Sequence, residues 1–345
     1  MIHTQMYADI MQEPSILTTC RKANEDTCRR IAAEYKERGL NFVYYVGRGT
    51  SANAGMYAKY LFESRLGIPF CAGAPSAVTL YGSSLKLNNS MVLAIGTRGM
   101  AQDALEVLKK ANEQGCLTVA VTNNADSALA REAKYHLFCS AGQEKQKAVT
   151  KVFLSQCQVL LQLADAMGGS TSEWLDEIPE LVSRTLDEYD GIKNRVGEFV
   201  SLEHCFTVSR GVNKAAAAEF ALKLQETCNI GAVSYSTSDF KYGSFALIDD
   251  RAFVFVYTNR GETFSDGIEL LEKLGQSCCT RIVVSPDDEA LSLAEVGFRL
   301  PKGSNDFTQF FANAAFAQMF AKCLSVEKGL NPDVVRGFCA PVITL

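Results

Sequence analysis

Residues 44–63 read YYVGRGTSANAGMYAKYLFE, and residues 206–226 read FTVSRGVNKAAAAEFALKLQE. Each opens with a short run rich in β-branched and aromatic residues, turns on a glycine and continues with apolar residues at helical spacing, which is the order strand, tight turn, helix. A second pair follows the same plan: IGTRGMAQDALEVLKK from Ile95 and YTNRGETFSDGIELLEK from Tyr257. An offset of 162 residues separates Gly49 from Gly211 and also Arg98 from Arg260, so two independent motifs share one spacing. That points to a duplicated α/β unit. Working outward, short apolar runs recur at Phe42–Val46, Val92–Ile95, Leu117–Val121, Cys205–Val208, Phe253–Tyr257 and Arg281–Val284. Longer segments with helical periodicity, such as Asp103–Gln114 and Ala215–Glu226, lie between them. Strands that alternate with helices predict parallel sheets covered on both faces.

A chain of 345 residues is long enough for two such domains, since single cores split at about 100–200 residues. The expected division is an N-terminal helical arm over 1–35, a first domain over 36–165, a helical connector over 166–199, a second domain over 200–330 and a tail over 331–345. The acidic, amphipathic stretch Trp174–Tyr189 marks the connector. Hydrophobic residues make up 47% and charged residues 21%, the balance of a globular protein with full cores. The 34 basic and 39 acidic residues are spread along the chain, so no basic stripe offers a footprint for nucleic acid or an anionic membrane. A small soluble ligand is the expected partner.

The 12 cysteines follow no framework spacing and include no CxxC pair, which is the usage of reduced thiols in a cytoplasmic protein. His3, His136 and His204 are the only histidines, none lies in a recognised catalytic motif, and each reads as structural. No metal site and no cofactor are expected. The first residues lack a charged segment followed by an apolar run, and no stretch of about 18 uninterrupted apolar residues occurs, so neither export nor membrane anchoring is expected.

Both motifs of the first half place glycine and small polar residues after a strand and before a helix, where backbone N–H groups and the helix dipole favour an anion. In Gly47-Arg48-Gly49-Thr50-Ser51 the glycines permit close approach and two hydroxyls can donate to phosphate oxygens. The turn Gly96-Thr97-Arg98-Gly99-Met100-Ala101 adds a guanidinium suited to bidentate phosphate contact. The bland alternative is that these glycines only close tight turns. A dinucleotide site is disfavoured, because Ala52 stands after Gly47-x-Gly49 where a further glycine would be needed and no ribose-binding acid ends a second strand.

At these residues the chain resembles the sugar isomerase (SIS) family in its tandem form, as in the isomerase half of glucosamine-6-phosphate synthase and the fructosamine-6-phosphate deglycases. The likeness covers most of the chain. It runs from Met6–Pro14 through Gly49-Thr50-Ser51, TVAVTNNADSALARE (Thr118–Glu132) and AGQEKQKAVTKVFLSQ (Ala141–Gln156) to EFALKLQE (Glu219–Glu226), SDFKYGSFALID (Ser238–Asp249) and NPDVVRG (Asn331–Gly337). The resemblance implies two flavodoxin-like αβα sandwiches, a phosphorylated sugar or amino sugar as ligand, and a homodimer or higher homo-oligomer with shared sites. It implies phosphosugar contacts at Gly49, Thr50 and Ser51, at Thr97, Arg98, Gly99 and Ala101, and at Val149. Glu226 falls where the family keeps the carboxylate that moves a proton between C1 and C2, and Lys223 falls on a matching lysine. Proton abstraction beside a carbonyl or imine needs such a positioned base and no cofactor.

The departures bear on chemistry. Tyr242 stands where the family has a ring-opening histidine and is the third catalytic candidate beside Glu226 and Lys223; a phenol can donate or accept a proton, but a pKa of about 10 makes it a poor base at neutral pH. Hydroxyls of the second phosphate loop are replaced by Arg98 and backbone amides, Val149 replaces a serine, and a sugar-contacting lysine aligns with Ala340. No amidotransferase sequence is present, so glutamine-dependent amination by this chain alone is not expected. The expected function is therefore an amino-ketose 6-phosphate deglycase or deaminase, or an aldose–ketose isomerase, with a non-catalytic sugar-phosphate sensor as the alternative.

Overall fold

The computed structural model describes residues 4–144 and 147–337. His3 and Ala340 lie outside the described residues. The chain forms two compact units, an N-terminal one of residues 15–144 with 151–176 and a C-terminal one of residues 4–14, 147–150 and 177–337. Residues 4–14 belong with the second half of the chain and residues 15–35 with the first. The stretch 166–199 contributes the Ser172–Leu186 and Tyr189–Arg195 helices, the first of which runs from one unit into the other.

In the N-terminal unit five parallel strands, β1 (Phe42–Val46), β2 (Phe70–Ala72), β3 (Ser90–Ile95), β4 (Leu117–Thr122) and β5 (Tyr135–Phe138), lie in the order β2-β1-β3-β4-β5. Val46 pairs with Ala94 and Ile95 with Val121, which brings the ends of the three inner strands level. Every residue of β3 and β4 is buried, the reason these strands are continuous apolar runs. The Gln102–Glu113 helix buries Ala104, Val107, Leu108 and Ala111 against β3 and β4.

The C-terminal unit repeats the plan with β6 (His204–Ser209), β7 (Gly231–Ser236), β8 (Phe253–Tyr257), β9 (Thr280–Ser285) and β10 (Val296–Arg299) in the order β10-β9-β8-β6-β7, all parallel. Read from the β7 edge this is the same flavodoxin-like order. The Lys214–Cys228 helix, KAAAAEFALKLQETC, is alanine-rich, a composition of high helix propensity that also permits close packing. It packs against the Asp306–Glu327 helix, which is apolar on almost all sides and correspondingly buried. Phe220 meets Phe255, Phe316 and Phe320 edge-on at ring separations of 5.0–6.1 Å, forming the centre of that layer.

In an open parallel sheet of this order the strand connections leave in opposite directions on either side of the first strand, and the crevice at that switch point is where ligands bind. The switch points lie between β1 and β3 in the N-terminal unit and between β6 and β8 in the C-terminal unit. The glycine turns singled out from the sequence are the segments that end β1 and β3.

Candidate functional site

The turn after β1 carries Gly49 at φ 52°, ψ −129°, a backbone conformation suited to glycine, and the Thr50–Leu61 helix starts on the next residue. Gly47 is closely packed: a Cβ there would lie 3.1 Å from the Ser51 backbone and 3.2 Å from the Ile95 carbonyl oxygen, so a side chain would have to push that backbone aside by a few tenths of an ångström. The amides of Ser51, Ala52 and Asn53 donate to the carbonyl oxygens of Arg48 and Gly49, at 2.9–3.1 Å, and are engaged within the turn itself. Ser51 is buried and its Oγ accepts a hydrogen bond from Gln156 Nε2 at 3.2 Å, so the Lys151–Ala164 helix fixes the hydroxyl's place.

The turn after β3 is held from the neighbouring strand. Asn123 N–H donates to the Thr97 carbonyl oxygen at 3.0 Å, and Leu129 N–H to that of Gly99 at 3.2 Å. Gly99 has φ 63°, and a Cβ on it would stand 2.2 Å from Ser127 Oγ, so only glycine fits. Ala101 is the residue before the Gln102–Glu113 helix. Arg98 is exposed and has no ion-pair partner among the described residues. Its guanidinium is free to meet an anion.

The turn after β1 carries a second arginine, Arg48. Arg48 Nε donates to Asp103 Oδ2 at 2.6 Å and Nη2 contacts the same oxygen, while Asp103 Oδ1 accepts from Ala104 N–H at 2.9 Å. The pair joins the β1 turn to the first turn of the helix after β3 and so spans the switch point. Asp103 is buried, whereas Arg48 is 54% exposed, so the arginine serves to neutralise a carboxylate that solvent does not reach. The C-terminal unit has the same brace, Arg210 Nε to Asp266 Oδ2 at 3.0 Å.

The acid–base candidates lie in the C-terminal unit, on the Lys214–Cys228 helix. Glu219, Lys223 and Glu226 are spaced at i, i+4 and i+7 and therefore share one face. Lys223 Nζ lies 3.3 Å from Glu219 Oε1 and hydrogen-bonds Glu226 Oε2; Lys223 and Glu219 are fully buried, and Glu226 is 20% exposed. Burial alone would lower Lys223, but the two carboxylates outweigh it and hold the ammonium above its ordinary value. For Glu226 burial dominates and lifts the carboxyl above 4.5, with Lys223 pulling the other way and Glu219 adding to the rise. The outcome is a carboxyl of moderate basicity with one face toward solvent. Glu226 sits about 18 Å along the helix axis from Lys214, at the end remote from the β6 turn, so this cluster is distinct from the β6/β8 crevice.

The remaining expected positions are placed as follows. Tyr242 ends the Thr237–Tyr242 helix, 92% exposed, and no hydrogen bond joins it to Lys223 or Glu226. Val149 is half-buried in the short stretch whose Thr150 carbonyl oxygen accepts from Gln318 Nε2 at 3.3 Å. His136 lies in β5, its Nε2 2.8 Å from Thr122 Oγ1, and burial lowers its pKa below 6.5. His204 begins β6 and is exposed. Among the described residues every cysteine is a free thiol, and no helix is long and apolar enough to cross a membrane.

Comparison with known proteins places both halves. The model of the SIS domain matches residues 41–166 and 198–326, stretches that contain the two N-terminal turns and the Glu219–Glu226 helix respectively. The glutamine–fructose-6-phosphate aminotransferase [isomerizing] of Methanothermobacter thermautotrophicus is 31% identical over 331 residues, covering 95% of this chain and 55% of the relative. The chain thus spans about half the length of the curated relatives it matches. Among solved structures, the C-terminal domain of glucosamine-fructose-6-phosphate aminotransferase from Francisella tularensis superposes with a TM-score of 0.87 at 24% identity, over 96% of this chain and 98% of that one. The tagatose-6-phosphate ketose/aldose isomerase of Escherichia coli gives 0.81 at 20% identity, over 98% of both chains. Those two likenesses are of fold. With a matched domain in each half, laid over the two sheets and their switch-point turns, the chain belongs to the SIS domain family.

Proposed function

We propose that this protein is a phosphosugar-acting enzyme that transfers a proton between C1 and C2 of an open-chain sugar phosphate, with Glu226 as the base. The observation that carries the reading is the buried Glu219–Lys223–Glu226 cluster, in which the one partly exposed carboxyl is lifted toward the range useful to a general base. Taken by itself, the N-terminal crevice offers a phosphate the unpaired Arg98 guanidinium beside its two glycine turns. The relatives' names supply the substrate class, a hexose 6-phosphate or its amino derivative.

In the deglycase version Glu226 takes a C1 proton from a ketosamine 6-phosphate and the C1–C2 enaminol forms. Return of the proton at C2 leaves an aldimine, and water divides it into an aldose 6-phosphate and a free amine. In the isomerase version the same transfer interconverts ketose and aldose phosphates. Both reactions are tested by incubating a panel of fructosamine 6-phosphates and ketohexose 6-phosphates with the protein in deuterium oxide. Wild type is expected to turn over one class and to wash deuterium into C1 or C2; Glu226→Gln is expected to do neither. Equal turnover by the variant would falsify the assignment.

One observation favours a second reading, a sugar-phosphate sensor: Tyr242 stands in solvent where the family has its ring-opening histidine. A sensor is stabilised by the sugar phosphates but leaves them unchanged, so calorimetric binding without product in the same panel identifies it. We further propose a homodimer, which sedimentation of the purified chain tests.

A further inference from the structure

The two switch-point crevices are made of the same parts. Gly211 repeats Gly49 and, like it, has positive φ, 63° against 52°. The Arg210–Asp266 brace repeats Arg48–Asp103, and Asn259-Arg260-Gly261 occupy the places of Thr97-Arg98-Gly99. The crevices differ in what they contain. In the C-terminal unit a carboxylate stands inside, that of Asp306, the first residue of the Asp306–Glu327 helix. A Cβ on Gly261 would lie 2.8 Å from its Oδ1, so the carboxylate rests directly on that glycine.

The donors around Asp306 are arranged as they would be around a bound anion. Asn259 Nδ2 donates to Oδ1 and Thr263 Oγ1 to Oδ2 at 3.3 Å. Asn259 is held by Asn213, whose Nδ2 donates to Asn259 Oδ1 at 3.2 Å, and Asn213 in turn accepts from Asn313 Nδ2 at 2.8 Å. The three asparagines and Asp306 are all buried, and each amide hands its donor on toward the carboxylate. The cation of this crevice is also committed elsewhere: Arg260 is bound by Asp287 at 2.9 Å and Glu289 at 2.8 Å, in contrast to the unpaired Arg98.

We infer that the β6/β8 crevice is a second anion seat sealed from within, in which the Asp306 carboxylate takes the position of a phosphate group. The duplicated chain then offers one open seat, and removal of that carboxylate uncovers the other for inorganic phosphate or a phosphate monoester. From the functional reading above this borrows only the idea that the N-terminal crevice holds phosphate. Its test counts a gain over the parent, so a parent that binds no phosphate sinks that reading and leaves this one standing.

Equilibrium dialysis of the full chain against radiolabelled inorganic phosphate reads the number of sites. Asp306→Ser is expected to gain one phosphate per chain over the parent, and Asp306→Ser combined with Asn259→Leu to lose that gain. Asp306→Asn, whose amide still fills the space, is expected to gain none. A folded Asp306→Ser chain without an added site overturns the proposal, as does a parent whose phosphate is displaced by Thr263→Val. If Asp306→Ser does not fold in phosphate-free buffer, excess phosphate is expected to restore it by occupying the vacated seat. A chain that stays unfolded there also overturns the proposal.

Discussion

Lys223 shows how one side chain sets the properties of two others. It is a buried ammonium between two carboxylates, and removing one member of a buried ion cluster leaves an uncompensated charge. Lys223→Met is therefore expected to lower unfolding free energy by about 3–5 kcal/mol, read by urea denaturation at neutral pH. The same change removes the group that draws the Glu226 carboxyl down, so the acid limb of any kcat/KM profile moves further up. If Glu226 is the base, the wild-type limb is expected above 4.5, activity being lost as pH falls through the raised Glu226 value. The stability signs differ between groups. Lys223 is raised above 10.5, so its contribution is intact at neutral pH and disappears only as alkaline pH passes the folded value. Glu226 is raised relative to the unfolded chain, so its neutral form favours folding below 4.5 and that contribution is lost as pH rises. His136 is lowered below 6.5, so stability falls as pH drops below that value, where the unfolded chain takes the proton first. In His136→Gln, thermal unfolding between pH 5 and 7 is expected to lose this component.

At the scale of the element, the two turns of the N-terminal crevice depend on positions that carry different penalties. Gly99→Ala combines a positive φ, worth about 1–3 kcal/mol of strain, with a Cβ 2.2 Å from Ser127 Oγ, so it is expected to cost more than Gly67→Ala. Gly67 also has positive φ but meets nothing within 4 Å. Thermal melts of the two variants give the comparison. The Arg48–Asp103 brace is asymmetric in the same sense. Arg48→Met strands a buried carboxylate, whereas Asp103→Asn leaves a half-exposed guanidinium to water, so the first is expected to be the costlier by about 1–2 kcal/mol. The double variant is expected to recover most of that difference, which a double-mutant cycle measures. Tight turns were readable because glycine announces them. The brace was not, since its partners are 55 residues apart and nothing in either local sequence points to the other.

Over the whole molecule, what could be read from sequence divides by burial. The inner strands β1, β3, β4, β6, β8 and β9 are covered on both faces and therefore appear as largely apolar runs, each recognised within one or two residues of its observed bounds. Three of the four edge strands escaped notice for the converse reason: β2 has three residues, β7 opens on Gly231 and alternates with serine, and β10 carries a glycine and an exposed arginine. Lys223 and Glu226 were found because they fall on one helix in a recognisable motif. Glu219 stood in the same motif without an assigned part, and Asp306, 45 residues beyond the turn it fills, carried no local signal at all. Only the register between the halves makes Asp306 intelligible.

The N-terminal helix Gln5–Ile10 begins with the amides of Gln5 and Met6 donating to the carboxylate of Asp333, each at 2.8 Å. Residues at the start of the chain are thus fastened to residues at its far end, within the unit that is otherwise made of the second half. The unit built from residues 15–144 and 151–176 takes nothing from this arm, whereas Met6 and Ile10, both buried, belong to the unit formed with residues 177–337. Deleting residues 1–12 is expected to weaken only the later unit, so that pulse proteolysis cleaves first after residue 177 and spares the earlier fragment.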